Sequence, residues 1–202
     1  MSESDPMGRD DDTHFVLDKE ALLAAATRDL QDGPVTPGFG PWRAGIVRLL
    51  NDALATELVC VLRYKRHHFT AKGLVSPSIA QEFMVHAQAE AGHADLLAER
   101  IVQLGGEPDF NPDTLTQRSH AQYDGCAKLL DMLRANLVAE RVAVESYRQM
   151  IHLVGDKDPT TRRILEQILA DEEEHAEELA DWLSSESGKL IGEGRQSPPA
   201  QA

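Results

Sequence analysis

Four stretches of this 202-residue chain place apolar residues in steps of three and four, and each breaks its apolar stripe with carboxylates near the middle. The first runs Leu50, Ala53, Leu54, Glu57, Val61, Tyr64. The second runs Ile79, Phe83, His86, Glu90, His93, Leu97, Ile101. The third runs Leu133, Leu137, Glu140, Val144, Tyr147, Ile151, and the fourth Leu165, Ile168, Glu172, His175, Leu179, Trp182. Stripes of this period belong to amphipathic helices that bury one face, so the polar interruptions are written onto faces meant for a core. Several buried carboxylates without partners cost many kcal/mol, so the chain must bring them a common partner or fold otherwise.

The partner that suits them is a pair of metal ions. Glu90-Ala91-Gly92-His93 and Glu172-Glu173-Glu174-His175 are both Glu-x-x-His, and a lone glutamate precedes each, Glu57 by 33 residues and Glu140 by 32. Residues three apart share a helix face, with Cβ atoms about 5–6 Å apart. Each motif therefore aims one oxygen and one nitrogen at the same point. Carboxylate with imidazole and no thiolate suits iron or manganese better than it singles out zinc. Either motif alone fits a solvated acidic face in a Glu-rich chain. Four in-phase helices carrying six ligands fit that reading poorly.

Loop lengths set the topology. Residues 1–14 read as disordered and 17–31 as a short helix, which together make residues 1–41 an N-terminal extension. Helix A is expected from Trp42 to about Lys72. Ser76-Pro77, a cap followed by proline, opens helix B, which runs to about Leu104. Helix C is expected from near Cys126 to near Gly155. Asp158-Pro159 opens helix D, expected to reach about Ser187, so that residues 42–188 make the bundle and 189–202 a flexible tail. A–B and C–D are short connections, so each pair is antiparallel. The B–C segment, residues 107–125, is far longer. Helices of about 30 residues span about 45 Å. About twenty extended residues reach about 65 Å, enough to cross the bundle's length and set C parallel to B. The expected fold is all-α, a four-helix bundle with one long crossover plus a short N-terminal helix.

With 34 acidic against 20 basic residues the net charge is −14, which argues against nucleic acid or an anionic membrane as a default partner. No apolar run approaches the length of a membrane span, and the polar, acidic start is no secretory signal, so a cytoplasmic setting is expected. Cys60 and Cys126 form no C-x-x-C motif. With both on helices, their axial separation is about 16 Å at 1.5 Å per residue. A disulfide allows a Cα separation of roughly 4.4–6.8 Å, so free thiols are expected. His86 reads as a satisfied core histidine and Tyr147 and Trp182 as packing. His67 and His68 read as the end of helix A, and Glu82 and Glu178 as solvated surface.

The segments NDALATELVCVLRY, EAGHADLLAERIVQLGGEP, NLVAERVAVESY and ILADEEEHAEEL resemble the four helices of the ferritin-like superfamily, the bacterioferritin and Dps-like branch above all, over roughly residues 43–186. The resemblance implies that Glu57 with His93 ends one iron, Glu140 with His175 the other, and Glu90 and Glu172 bridge. It gives Tyr64, seven residues after Glu57, a supporting role. It implies two iron ions per subunit, with manganese as the other metal that fits. The expected activity is a ferroxidase that oxidises Fe2+ with O2 or H2O2 for iron storage and detoxification. The alternatives are a small-molecule redox enzyme on the same centre (peroxidase, manganese catalase or hydroxylase) and a metal-free helical assembly. Haem-binding bacterioferritins carry methionine directly after the second-helix glutamate. Ala91 stands there, so no haem is expected. The tail does not read as the fifth helix of 24-subunit ferritins, which points to a homo-oligomer of Dps size, twelve subunits, or smaller.

Overall fold

The computed structural model describes residues 16–73 and 76–193, with side chains to residue 185. Among these residues the secondary structure is entirely helical. The chain divides into two units, Met1–Gly40 and Pro41–Ala202. In the first, α1 spans Lys19–Ala26, with the Asp18 carboxylate accepting from the Ala21 N–H as an N-cap. A single 3-10 turn, Leu30–Asp32, follows. The helix expected over 17–31 is thus shorter, because Thr27 turns its hydroxyl back onto the Leu23 carbonyl and Asp29 takes a left-handed backbone (φ 45°). The expectation of disorder for residues 1–14 lies outside the described residues.

The second unit holds four long helices, α2 (Arg43–Thr70), α3 (Ser76–Gln103), α5 (Leu129–Val154) and α6 (Pro159–Glu193), and a single short turn of helix, α4 (Leu115–Arg118). α2 pairs with α3 and α5 with α6. α3 and α5 stop at Gly105 and Gly155, whose φ values of +71° and +53° lie where a side chain is strained. Ser76 is not a simple cap. Its hydroxyl donates to the Gly73 carbonyl and closes the turn ahead of α3. Asp158 does act as expected at the start of α6, accepting from the Thr161 N–H at 3.0 Å.

The crossover from α3 to α5 follows α2 from its first turn to its last. Arg43 donates to the Leu104 carbonyl, Asn51 to that of Glu107, and Arg118 to that of Asn51. Farther along, the His120 N–H donates to Thr56, while Arg63 and Arg66 donate to the Gln122 and Cys126 carbonyls. The segment thus enters α5 at the C-terminal end of α2, which makes α5 run with α3 and against α2. Two expected boundaries move. α5 starts at Leu129, because residues up to Lys128 are still extended against α2. α6 continues to Glu193, past the expected end near Ser187, so residues 189–193 are helical and only 194–202 of the expected tail lie outside the described residues.

The late start of α5 changes the cysteine geometry. Cys126 lies on the crossover with its Sγ 3.6 Å from His67 Nε2, seven residues beyond Cys60 on α2, or about 10 Å along that helix. Cys60 is buried, Cys126 partly so, and neither is bridged. No described helix is long and apolar enough to cross a membrane.

The core is built as the stripes dictate. Tyr64, Ile79, Phe83, Met132, Leu133 and Leu179 pack together at one end, with Trp182 against them. Burying one such side chain stabilises the fold by roughly 1.5–3 kcal/mol. At the far end Arg100 is buried, donating from Nη2 to both carboxylate oxygens of Asp158 at 2.9 Å and from Nε to Thr161. That ties α3 to the start of α6.

Candidate metal centre

Between these two ends the bundle interior is polar. Glu57, Glu90, Glu140 and Glu172 are each 1 % exposed, His93 4 % and His175 8 %. Each of the four long helices delivers one carboxylate to this layer, and α3 and α6 each add an imidazole one turn later. The ligand atoms fall into two overlapping groups. Glu57, Glu90, His93 and Glu172 have one atom each within 4.8 Å of one another, and so do Glu90, Glu140, Glu172 and His175. Glu90 and Glu172 belong to both. The structure thus brings together all six residues singled out by the sequence.

Both imidazoles turn Nδ1 toward the cluster. His93 Nδ1 lies 3.1 Å from Glu172, 3.3 Å from Glu90 and 3.5 Å from Glu57. His175 Nδ1 lies 3.8 Å from both Glu90 and Glu172. His93 Nε2 meets Asp171 Oδ2 at 3.2 Å. Asp171 accepts from the ring at Nε2 and so fixes it with Nδ1 turned to the cluster.

Two tyrosines repeat one another. Tyr64 on α2 donates to Glu140 on α5, and Tyr147 on α5 donates to Glu57 on α2 at 2.5 Å. Each tyrosine stands seven residues after the glutamate of its own helix and holds the glutamate of the other. Tyr64, expected to support the site, thus touches Glu140. Tyr147 does more than pack, and the repeated spacing Glu-x6-Tyr was the signal that marked it.

Burial pushes the Glu90 and Glu172 carboxyls well up from the ordinary range, and the neighbouring carboxylates add to this. Burial acts the same way on Glu57, but hydrogen bonds with His93 outweigh it, so this carboxyl is held low. His93 is raised. Burial opposes its charge, and the bonds to Glu172, Glu57 and Glu90 overcome that. The site is therefore short of positive charge. His93 offers one Nδ1 proton to three carboxylates and makes a well-formed hydrogen bond only with Glu90, while six atoms in the layer have none. These are Glu57 Oε2, Glu90 Oε1, Glu140 Oε2, both oxygens of Glu172 and His175 Nδ1. Unsatisfied buried polar atoms are rare in folded proteins, and here all six face one another.

Of the other polar residues, His86 is a buried, hydrogen-bonded core histidine as expected, and the rest depart from their expected roles. His86 is fully buried, with Nδ1 3.0 Å from the Tyr64 hydroxyl and Nε2 2.9 Å from Glu178. Its ring stacks on His175 at 4.2 Å. Burial and His175 hold its pKa below the ordinary value. Glu178 and Glu82, read as solvated surface, face it from α6 and α3. His67 does not cap α2. It is buried between α2 and α5, where Asn136 donates to its Nδ1 and is itself held by Arg63. Burial and Arg63 push the His67 pKa down to about 4. His68 Nδ1 reaches the Ala80 carbonyl at 2.6 Å and ties α2 to α3. None of these contacts was visible in helical periodicity, because each depends on which helices face one another.

A four-helix bundle with one long crossover and a layer of four carboxylates and two imidazoles is the arrangement of the ferritin-like helical bundles. The ferritin-like domain family matches residues 47–187, and the chain belongs to this family. Within it the relatives are bacterioferritins and Dps-like proteins. A nutrient stress-induced DNA-binding protein from a Synechococcus species is 34 % identical over 70 % of this chain and 82 % of its own. Bacterioferritin from Mycobacterium avium is 30 % identical over 68 % and 83 %. Among solved structures, a bacterioferritin-related protein of Bacteroides fragilis, described as a dodecameric thioferritin, superposes with a TM-score of 0.72 at 29 % identity, covering 77 % of this chain and 92 % of that one. Dps from Thermosynechococcus elongatus shares the fold, with a TM-score of 0.67 at 18 % identity.

Proposed function

We propose that this protein is a ferroxidase of the bacterioferritin and Dps-like branch, taking Fe2+ as substrate at the six-residue layer and serving iron storage and detoxification. The observation that carries this reading is the set of six orphaned donor atoms in a buried, four-carboxylate site. Oxygen and imidazole nitrogen donors without thiolate suit iron, with manganese the other metal that fits. Glu57 and His93 hold one ion, Glu140 and His175 the other, and Glu90 and Glu172 bridge the two. This supplies four negative charges, which balance two Fe2+ and favour their oxidation to Fe3+.

The redox balance is simple. Two Fe2+ give up one electron each. One O2 takes both with two protons and leaves as H2O2, or one H2O2 takes both with two protons and leaves as two waters. The chain's own residues fix the geometry for this step. Tyr64 and Tyr147 hold Glu140 and Glu57 so that their second oxygens point inward. Asp171 orients His93. The apolar packing on both sides limits water.

The dodecameric relative supports a closed homo-oligomeric shell here. So do large apolar side chains left exposed on the bundle, Leu62, Phe69, Val85, Val138 and Leu153 among them. We place the protein in the cytoplasm. Ala91 supplies no sulfur for haem, so the reading includes none. The net charge of −14 gives DNA no electrostatic footing, although the Synechococcus relative bears a DNA-binding name. The test is stopped-flow oxidation of Fe2+ loaded under anaerobic conditions and then mixed with O2. Glu90→Gln and Glu172→Gln are expected to abolish the fast phase while circular dichroism stays helical. A fast phase that survives both substitutions removes the ferroxidase reading.

A further inference from the structure

Outside the six-residue layer, two more groups of ligand-type atoms converge among the described residues, one at His67, Asp124 and Cys126 and a second on α3 and α6. In the second, Glu82 on α3, His86 on α3 and Glu178 on α6 each offer one atom within 4.8 Å of the others. The chemistry of this second group follows from counting protons. The Tyr64 hydroxyl has a single proton and donates it to Glu140. Toward His86, 3.0 Å away, that oxygen can only accept, so the His86 proton sits on Nδ1. Nε2 then presents a lone pair, and it faces Glu178 Oε2 at 2.9 Å and Glu82 Oε1 at 3.6 Å. With a neutral imidazole, three acceptors thus point at one another with no proton among them. The imidazole is fully buried, so its Nε2 cannot turn to water, while Glu178 is 42 % exposed and Glu82 26 %.

The spacing fits a metal ion. Bonds of about 2.1 Å meeting at about 90° set donor atoms about 3 Å apart, and wider angles set them about 3.5 Å apart. On the solvent side lies a cavity of about 330 Å³, lined by Glu82, Glu178, Asp181, Trp182 and Ser185. It has room for a hydrated cation and adds a third carboxylate at its rim. On the inner side, the His86 ring lies flat on His175 at 4.2 Å.

We propose that Glu82, His86 and Glu178 form a third, mononuclear site for a divalent cation, which receives the ion from the acidic surface cavity and passes it inward past His175. The role in transfer rests on the ferroxidase reading, whereas the existence of the site does not. The ligand set has one nitrogen and two carboxylates with open positions for water. It suits Fe2+ and, as inert stand-ins, Zn2+ or Co2+.

The test counts ions. The intact protein, freed of metal, is titrated anaerobically with Zn2+ in a calorimeter, alongside the double variant Glu82→Gln/Glu178→Gln and the double variant Glu90→Gln/Glu172→Gln. Three ions per chain are expected in the native protein, two after the Glu82/Glu178 change and one after the Glu90/Glu172 change. The Glu82 and Glu178 side chains reach solvent, so folding is expected to survive their loss, and circular dichroism checks it. Native binding of two ions that both disappear with Glu90/Glu172 overturns the third site and leaves the ferroxidase reading standing. The pair is then an imidazolium–carboxylate contact. A single ion, lost only with Glu82/Glu178, supports the third site and overturns the dinuclear one. A third ion that survives the Glu82/Glu178 change lies elsewhere and also overturns the proposal. In stopped-flow oxidation at less than one Fe2+ per chain, the Glu82/Glu178 variant is expected to be about tenfold slower, and an unchanged rate refutes the role in transfer.

Discussion

Replacing Glu172 by glutamine is expected to stabilise the metal-free protein and to destabilise it relative to the native chain once metal is present. Glu172 has both carboxylate oxygens buried without a well-formed hydrogen bond, and its ligand atom lies within 4.8 Å of those of Glu90 and Glu140. Two full charges 4.8 Å apart repel by about 3.5 kcal/mol at an effective dielectric constant of about 20. The raised pKa values of Glu90 and Glu172 mean that protonation already relieves part of this. A neutral, nearly isosteric amide should therefore return about 1–3 kcal/mol. For a chain of this size that is about 2–10 °C in Tm. Metal at a hundred times its Kd adds about 2.7 kcal/mol to the native protein, and much less to a variant that has lost a bridging ligand. The order of stability should therefore cross. The assay is thermal unfolding followed by circular dichroism at fixed protomer concentration, in chelator and in anaerobic Zn2+. A metal-free Glu172→Gln protein that melts below the native one, together with a native Tm indifferent to Zn2+, refutes the account of a charge-strained cation site. A carboxyl whose folded pKa is raised stabilises the fold below its unfolded value and loses that contribution as pH rises through the folded one. Native metal-free protein should accordingly weaken as pH rises above about 4.5, and Glu172→Gln should flatten the slope.

Three further outcomes follow from individual contacts. Tyr147→Phe removes the hydrogen bond to Glu57 and is expected to weaken metal binding by about 10–100-fold in calorimetry with little change in Tm; unchanged affinity would show that Glu57 is held by packing alone. Arg100→Ala leaves the buried Asp158 carboxylate without its cation and is expected to cost about 3–5 kcal/mol in denaturant unfolding, while metal binding at the six-residue layer two turns away is expected to persist. His67, with a pKa pushed down to about 4, binds its proton more readily in the unfolded chain. Its contribution is present above the ordinary histidine value of about 6.5 and is lost as pH falls toward 4, so His67→Gln should make stability less acid-sensitive in that window.

The six residues of the layer were legible because helical periodicity is a local property. A carboxylate in phase with Leu54 and Val61, or with Leu137 and Val144, has to face the core whatever the rest of the chain does. The crossover was legible from length alone, since 19 residues between glycine pair and helix cannot be a tight turn. What surrounds the layer was less so. Periodicity alone reads Tyr147 as packing, although it repeats the spacing that marks Tyr64. Asp171, directly before Glu172, contacts His93 through the pairing of α3 with α6, and nothing in its local sequence separates it from the neighbouring solvated glutamates. Glu178 and His86 meet for the same reason. The sequence puts the start of α5 too early because Cys126, Ala127 and Lys128 are tolerable in a helix. Their backbone is instead drawn along α2, where Arg66 takes the Cys126 carbonyl.

The most direct measurement is an anomalous difference map from crystals soaked with Fe2+ under anaerobic conditions. Two peaks about 3.5–4 Å apart are expected inside each bundle. One should lie within bonding distance of Glu57 and His93, the other of Glu140 and His175, with Glu90 and Glu172 touching both. An empty layer, or iron found only on the outer surface while those four glutamates stay unliganded, contradicts the claim that they converge to hold two metal ions.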